Sequence, residues 1–289
     1  MRWIAVLATL VIGCASARTP MQRIVLDYDT PADAMLQREV EAIDARLRGQ
    51  LGMTEGDAAV GVVDLKSGHV AMLHPDRIEY AASVPKVGIL LAWFALHPDW
   101  NARLDATTRH KLGLMAKVSD NEAASTFSRE LGLREIQRVL DGYGLYDATR
   151  GGGIWVGKHY GKGSERIGDP VADHSHAATV RQLLRYWLLL MQGNLVSREA
   201  SAAMREIFAS PEIPHSDLKF VKALAGRNLD ILRKWGSWEQ WQHDSAVITG
   251  PGRQYILVAL THHACGDEYL EDLARSVDDL MARQSGTAW

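Results

Sequence analysis

Apolar positions along the chain follow two different periods, and the places where one gives way to the other divide the sequence into three zones. Over residues 31–51 they recur at helical spacing, with Met35, Val40, Ile43 and Leu47 on one face. Ala59-Val60-Gly61-Val62-Val63-Asp64-Leu65 then reads as a β-branched strand. The turn Lys66-Ser67-Gly68 and a second run over residues 69–74 complete a predicted β-hairpin.

The middle zone is helical and carries no convincing strand. Helical patterns cover residues 87–96, 106–118, 122–131, 133–143, 177–191 and 197–208. Strands return over residues 231–241, 243–249 and 254–262, the last two separated by Gly250-Pro251-Gly252. A helix over residues 268–283 closes the chain, with Leu270, Leu273, Val277 and Leu280 at core spacing. Strands at both ends around a helical insert predict an α+β fold. Its antiparallel sheet is built from both chain ends and flanked by helices, with an inserted all-helical lobe beside it. Residues 151–176, rich in Gly and His, form a connection long enough to line a site.

Three short motifs fall on suitable elements of this outline. Ser83-Val84-Pro85-Lys86 opens an apolar helical run, so Lys86 is expected one turn beneath the Ser83 hydroxyl. Pro85 suits a first helical turn, where no NH partner is lost. Ser119-Asp120-Asn121 precedes the next amphipathic helix, and Lys234-Trp235-Gly236 lies on a late strand. A serine becomes a nucleophile when a base removes its proton, and a lysine serves only if burial or a second cation, here Lys234, lowers its pKa. The helix N-terminus would favour the oxyanion that develops on the attacked carbonyl.

With these three motifs in order, the chain from about Val60 to Arg283 resembles the serine superfamily of class A β-lactamases and penicillin-binding proteins. The resemblance implies that Ser83 is acylated and that Lys86 accepts its proton, directly or through water. It implies that Ser119 passes the proton to the leaving nitrogen and that Asn121 binds the substrate's amide and supports Lys86. Lys234 would attract a substrate carboxylate, with Gly236 beside it, and the backbone NH groups of Ser83 and Ser237 would form the oxyanion hole. The implied activity is hydrolysis of β-lactams or related amides. A peptidoglycan D-Ala carboxypeptidase or esterase of the same fold, and a non-catalytic wall-binding or sensor lipoprotein, are the alternatives.

Several features depart from the class A pattern. Ser119 follows Ser83 by few residues, which implies a more open or differently walled cleft. Trp235 stands where a carboxylate-binding hydroxyl is usual, and indole can only stack or donate one NH. Trp235, Trp238 and Trp241 read as core and hairpin packing, with Trp235 and Trp241 on one strand face, or as a sugar or acyl platform. No Glu-x-x-Leu-Asn segment supplies a deacylating base; Glu165 is the nearest candidate, and His159, His174 and His176 share its loop.

The net charge of −3 argues against nucleic acid and leaves a small-molecule β-lactam or peptidoglycan-derived substrate, bound by a monomer. Dinucleotide fingerprints, phosphate loops and metal-ligand clusters are absent from the sequence, so no cofactor or metal is expected. Cys265, in Thr261-His262-His263-Ala264-Cys265, reads as a small residue ending a strand, because adjacent strand histidines face opposite ways. Residues 1–19 have the Arg2 and apolar 3–12 pattern of a secretory signal, leaving 20–289 as the hydrolase domain of an exported, periplasmic protein. Val11-Ile12-Gly13-Cys14 resembles a lipobox, while Ala15-Ser16-Ala17 offers an ordinary cleavage site. Lipid attachment predicts a mature chain that begins at a diacylated Cys14; mass spectrometry finding Arg18 first instead removes the anchor.

Overall fold

The computed structural model describes residues 21, 24–161, 163 and 165–284. The signal segment and Cys14 lie outside them. Five strands form the main sheet: β1 (Ala58–Asp64), β2 (Val70–Leu73), β8 (Asp230–Trp238), β9 (Trp241–Gly250) and β10 (Arg253–His262). Their order is β2-β1-β10-β9-β8, and every neighbouring pair is antiparallel. The first strand therefore pairs with the last, in the register Val60↔Ala259 and Val62↔Leu257, as expected of a sheet built from both chain ends.

Both faces of this sheet are covered, which explains why β1 and β10 read as continuous apolar runs. Val60, Val62 and Leu257 face α1 (Ala34–Leu51), α9 (Lys219–Ala223) and α10 (Gly266–Gln284). Ala59, Val63, Ile256 and Val258 face the other core, built on α2 (Lys86–Leu96), α7 (Val180–Gln192) and the helical lobe. Gly61 lies on that second face, where an added Cβ would come 2.5 Å from Val180 and 2.6 Å from Leu184. A side chain at residue 61 would push α7 off the sheet.

The lobe contains α3 (Trp100–Arg103), α4 (Ala106–Gly113), a π-turn (Leu114–Val118), α5 (Asn121–Leu131), α6 (Leu133–Gly142) and α8 (Arg198–Ala209). The middle of the chain is not free of strands. β3 (Glu79–Tyr80), β7 (His176–Ala178) and β6 (Trp155–Val156) form a small sheet, and β4 (Tyr146–Asp147) pairs with β5 (Gly152–Gly153). Two or three residues are too few to display alternation, so these pairings leave no periodic signal.

Two side-chain placements differ from expectation. Met35 is 63% exposed, and Leu36, held where Asp33 caps α1, takes its core position beside Val40 and Leu47. The strand expected over 231–241 breaks into a hairpin at Glu239 (φ +51°), making Trp238 and Trp241 cross-strand partners. They share a face, and Trp235, three residues before Trp238, points the other way.

Asp278 on α10 is the polar anchor between this helix and the sheet. It accepts hydrogen bonds from Arg253 (2.7 and 3.0 Å), Tyr255 (2.9 Å) and Arg227 (2.9 Å), with the Arg253 and Asp278 side chains 1% exposed. Asp278→Ala leaves a buried guanidinium uncompensated and is expected to lower stability by about 3–5 kcal/mol, measurable by urea unfolding.

Candidate active site

Ser83 sits on the connection from β3 to α2. Ala82 before it adopts φ +48°, a left-handed conformation that few non-glycine residues take. Tight i→i−3 bonds follow, from Val84 N to Ala81 O (2.9 Å), Lys86 N to Ser83 O (3.2 Å) and Val87 N to Val84 O (3.2 Å). The α-helix itself begins at Lys86 rather than at Ser83, because Pro85 closes this turn. From Lys86 to Phe94 α2 is buried on every side, so the lysine head is carried into the molecule.

Ser119 is presented by an equally unusual backbone. The π-turn Leu114–Val118 ends with Ser119 at φ +64°, and Asp120 N returns to Leu114 O (3.1 Å). Asp120, not Ser119 or Asn121, caps α5 through Ala123 N (2.7 Å). The Ser119 and Asn121 side chains are thereby left to meet lysines. Lys86 Nζ donates to Ser119 O (2.6 Å), Asn121 Oδ1 (2.7 Å) and Ser119 Oγ (3.3 Å). Lys234 Nζ reaches the same hydroxyl from the sheet side at 2.9 Å and also bonds Trp235 O (2.6 Å). Lys86 is thus held by the Ser119–Asn121 segment, and among the described residues no hydrogen bond ties it to Ser83 Oγ.

β8, one of the two edge strands of the main sheet, runs alongside the Ser83 turn. A Cβ on Gly236 would lie 2.7 Å from Ala81 O and 2.9 Å from Ser83 N, so only glycine allows this approach. Ser237 is next on the strand and lines the cleft with Ser83. Its Oγ accepts a 2.7 Å hydrogen bond from Lys219 Nζ, which also donates to Gly236 O (2.7 Å). Lys219, at φ +52° and fully buried, has no motif around it and went unrecognised in the sequence. It is positioned by Arg233, whose guanidinium grips buried Asp244 and bonds the carbonyls of Ser216 and Leu218 (2.9 Å each). Trp235 does not line the cleft; its ring lies 5.2 Å from Lys234 Nζ and 5.5 Å from Lys219 Nζ.

The resulting cleft, about 400 Å³, is bounded by Ser83, Asn121, Ser237, Tyr160, His176 and Trp238. Trp238 is 58% exposed at its rim, a placement that a pure packing role would not require. Tyr160 lies beneath Lys86, with Nζ 4.4 Å from its ring centroid and its hydroxyl donating to Ala82 O (3.2 Å). His176 stacks on that ring at 4.3 Å. His159 also lines the cleft, its Nδ1 2.9 Å from Ser128 Oγ, whereas His174 packs on Tyr80 and Trp241 outside it. Glu165 is exposed and takes no part in the lining. Among the described residues no group of three or more His, Cys, Asp or Glu could hold a metal.

The electrostatics follow from crowding cations in a dry place. Burial lowers Lys86 to about 7, against the opposing pull of Asp120. Burial and the neighbouring cations Lys86, Arg233 and Lys219 push Lys234 far below the ordinary lysine value, with Asp244 opposing. Lys219 falls to about 8, again chiefly through burial. His176 is brought to about 4 by burial and is neutral at physiological pH. Burial raises Tyr160 well above a normal phenol. A hydroxyl between two lysines whose hold on their protons is weakened by burial can relay a proton, and the floor of lysine and arginine side chains favours a substrate anion.

A model of the β-lactamase enzyme family matches residues 99–281, and the chain belongs to that family. The match begins after Ser83 and Lys86. No curated protein matches the sequence. Among solved structures, a β-lactamase from Sphaerobacter thermophilus is similar with a TM-score of 0.67 and 16% identity, over 87% of this chain and 98% of that one. PBP-A is similar with a TM-score of 0.65 and 18% identity, over 90% and 100%. A class A β-lactamase from Mycobacterium abscessus has a TM-score of 0.63 and 17% identity, over 84% and 98%. At these identities the likeness establishes the fold, that of β-lactamases and PBP-A, and with the family match makes the chain a β-lactamase-like serine hydrolase.

The depressed Lys86 value has a direct consequence. Between about pH 7 and the unfolded lysine value near 10.4 the unfolded chain holds a proton that the folded chain has released, so this group makes stability rise with pH across that window. In protein labelled with ¹³C at lysine Cε, one resonance is expected to titrate near pH 7 and to be absent from Lys86→Met.

Proposed function

We propose that this protein is an exported acyl-transfer hydrolase that opens β-lactams or related amides through an acyl-Ser83 intermediate. The observation that carries the reading is the Ser119 hydroxyl held between Lys86 Nζ and Lys234 Nζ beside Ser83. In the mechanism, Ser83 Oγ bonds to the substrate carbonyl carbon while its proton passes to neutral Lys86, directly or through water. The carbonyl becomes an oxyanion facing the backbone NH groups of Ser83 and Ser237. As the C–N bond breaks, Ser119 gives its proton to the leaving nitrogen and is reprotonated from the lysine pair. Asn121 Oδ1 is committed to Lys86, which leaves its NH₂ to donate to a substrate amide carbonyl. Lys234 and Lys219 draw a substrate carboxylate to the β8 edge, where Ser237 Oγ supplies the hydroxyl that Trp235 lacks.

One feature favours a peptidase-like lifetime for the intermediate over rapid drug hydrolysis. No carboxylate lines the cleft among the described residues, and the space beneath Lys86 holds the neutral phenol of Tyr160, its O–H already donating to Ala82 O. Water entering after acylation would meet few bases, as in a carboxypeptidase or penicillin-binding protein acting on D-Ala-D-Ala ends.

Intact mass followed over time with a penicillin is expected to show a one-to-one adduct on the wild type, none on Ser83→Ala, and slow loss of the adduct. A transient adduct with steady drug consumption selects the β-lactamase activity, whereas no adduct on the wild type removes β-lactams from the substrate class.

A further inference from the structure

A second cavity, about 380 Å³, lies along α6 on the far side of the segment that walls the active cleft. Its apolar sides are Leu133, Trp155, Val156 and Ile167, and its polar side is one face of the helix, Arg134, Gln137, Arg138 and Asp141. The spacing of these residues makes the groove dipolar, with the Arg134 guanidinium at the N-terminal end of α6 and the Asp141 carboxylate one turn beyond Gln137. Arg138 is paired with Glu135, whereas among the described residues Arg134 enters no ion pair.

Gln137 fixes the chemistry of the floor. It is 92% buried, and its Nε2 donates to Asp141 Oδ1 (2.9 Å), which sets the amide orientation and leaves Oε1 buried without a donor. A buried acceptor left unmet forgoes the hydrogen bonds it made to water in the unfolded chain. An ammonium satisfies both needs at once, supplying a proton to Oε1 and a positive charge to Asp141. Seven residues of helix separate Arg134 from Asp141, roughly 10 Å. An extended peptide covers that distance in about three residues.

We propose that this groove binds a short peptide with free termini, its ammonium at Gln137 and Asp141, its carboxylate at Arg134 and its side chains against Trp155, Val156 and Ile167. The site is independent of the acyl-transfer reading but not remote from it. Trp155 and Val156 form one wall of the groove, and Lys158, His159 and Tyr160, directly after them, form one wall of the cleft. Between the two, Gly157 N bonds Ser175 O (2.8 Å) and Trp155 Nε1 bonds Ile167 O (2.9 Å), so this wall is hydrogen-bonded to its own loop while it packs on α6.

The test is calorimetric titration of the full protein with tri-alanine, N-acetyl-tri-alanine and tri-alanine amide. Saturable binding of the free peptide is expected, weakened about tenfold by either blocking group, as expected for losing a charge-assisted hydrogen bond. Arg134→Ala should remove the penalty for amidation, and Asp141→Asn the penalty for acetylation, while Ser83→Ala binds as the wild type does. No binding at millimolar peptide overturns the proposal, and so does equal binding of free and blocked peptides by the wild type. Affinity unaffected by both Arg134→Ala and Gln137→Leu also overturns it, by placing the peptide elsewhere.

Discussion

Buried positive charge in excess of the buried negative charge beside it is the constraint around which this molecule is arranged. Lys86, Lys219, Arg233 and Lys234 are all fully buried near one another, and among the described residues Asp244, paired with Arg233, is the carboxylate buried with them. Such a cluster stands only if each head group has several oxygen acceptors, because an unpaired buried charge is costly. The acceptors are backbone carbonyls and hydroxyls: Ser119 O and Oγ, Trp235 O, Gly236 O, Ser237 Oγ, Ser216 O and Leu218 O. Supplying them dictates the unusual backbone at Ser119 and Lys219, since regular helices and strands spend their carbonyls on themselves. The strain at these positions and the reactivity of the lysines have one origin.

The same constraint explains which parts were legible in the sequence. The main sheet could be read because β1 and β10 bury both faces and are apolar over most of their length, and α1, α7 and α10 because each covers one face at helical spacing. The three motifs could be read because residues close in sequence share a turn, as Ser83 and Lys86 do. Lys219 was invisible: it reaches the site through a left-handed bend held by Arg233 and Asp244, and nothing local marks it. Tyr160 was likewise hidden, and Trp238, legible as packing or as a platform, could not be assigned to either, since their places depend on where a long loop and a hairpin come to rest. Reading 231–241 as one strand misplaced Trp241, because Glu239 and Gln240 carry no glycine or proline to announce a turn.

Glu165 and Tyr160 show the same limit at the level of chemistry. Sequence position favoured the carboxylate, which lies in the expected loop, yet the chain turns its aromatic neighbour inward and leaves the acid in water. Desolvation favours that choice, because a phenol that can give its proton to Ala82 O is cheaper to bury next to a lysine of reduced charge than an ionised acid without further partners. The three motifs are therefore brought together in the structure, whereas the carboxylate that the sequence offered beside them is not.

The pairing of the first strand with the last has a bearing on how the chain matures. Ser83 and Lys86 emerge early in synthesis, but β8, which supplies Lys234, Gly236 and Ser237, and β10, on which β1 closes, come only near the end. α1 likewise waits for α10, whose Tyr269 hydroxyl donates to buried Asp44 (2.6 Å). Contacts this distant in sequence form late and slowly. Burial, which lowers the pKa of Lys86 and Lys234, comes only with that closure, so an incomplete chain carries Ser83 and Lys86 without the dry surroundings that shift the lysine.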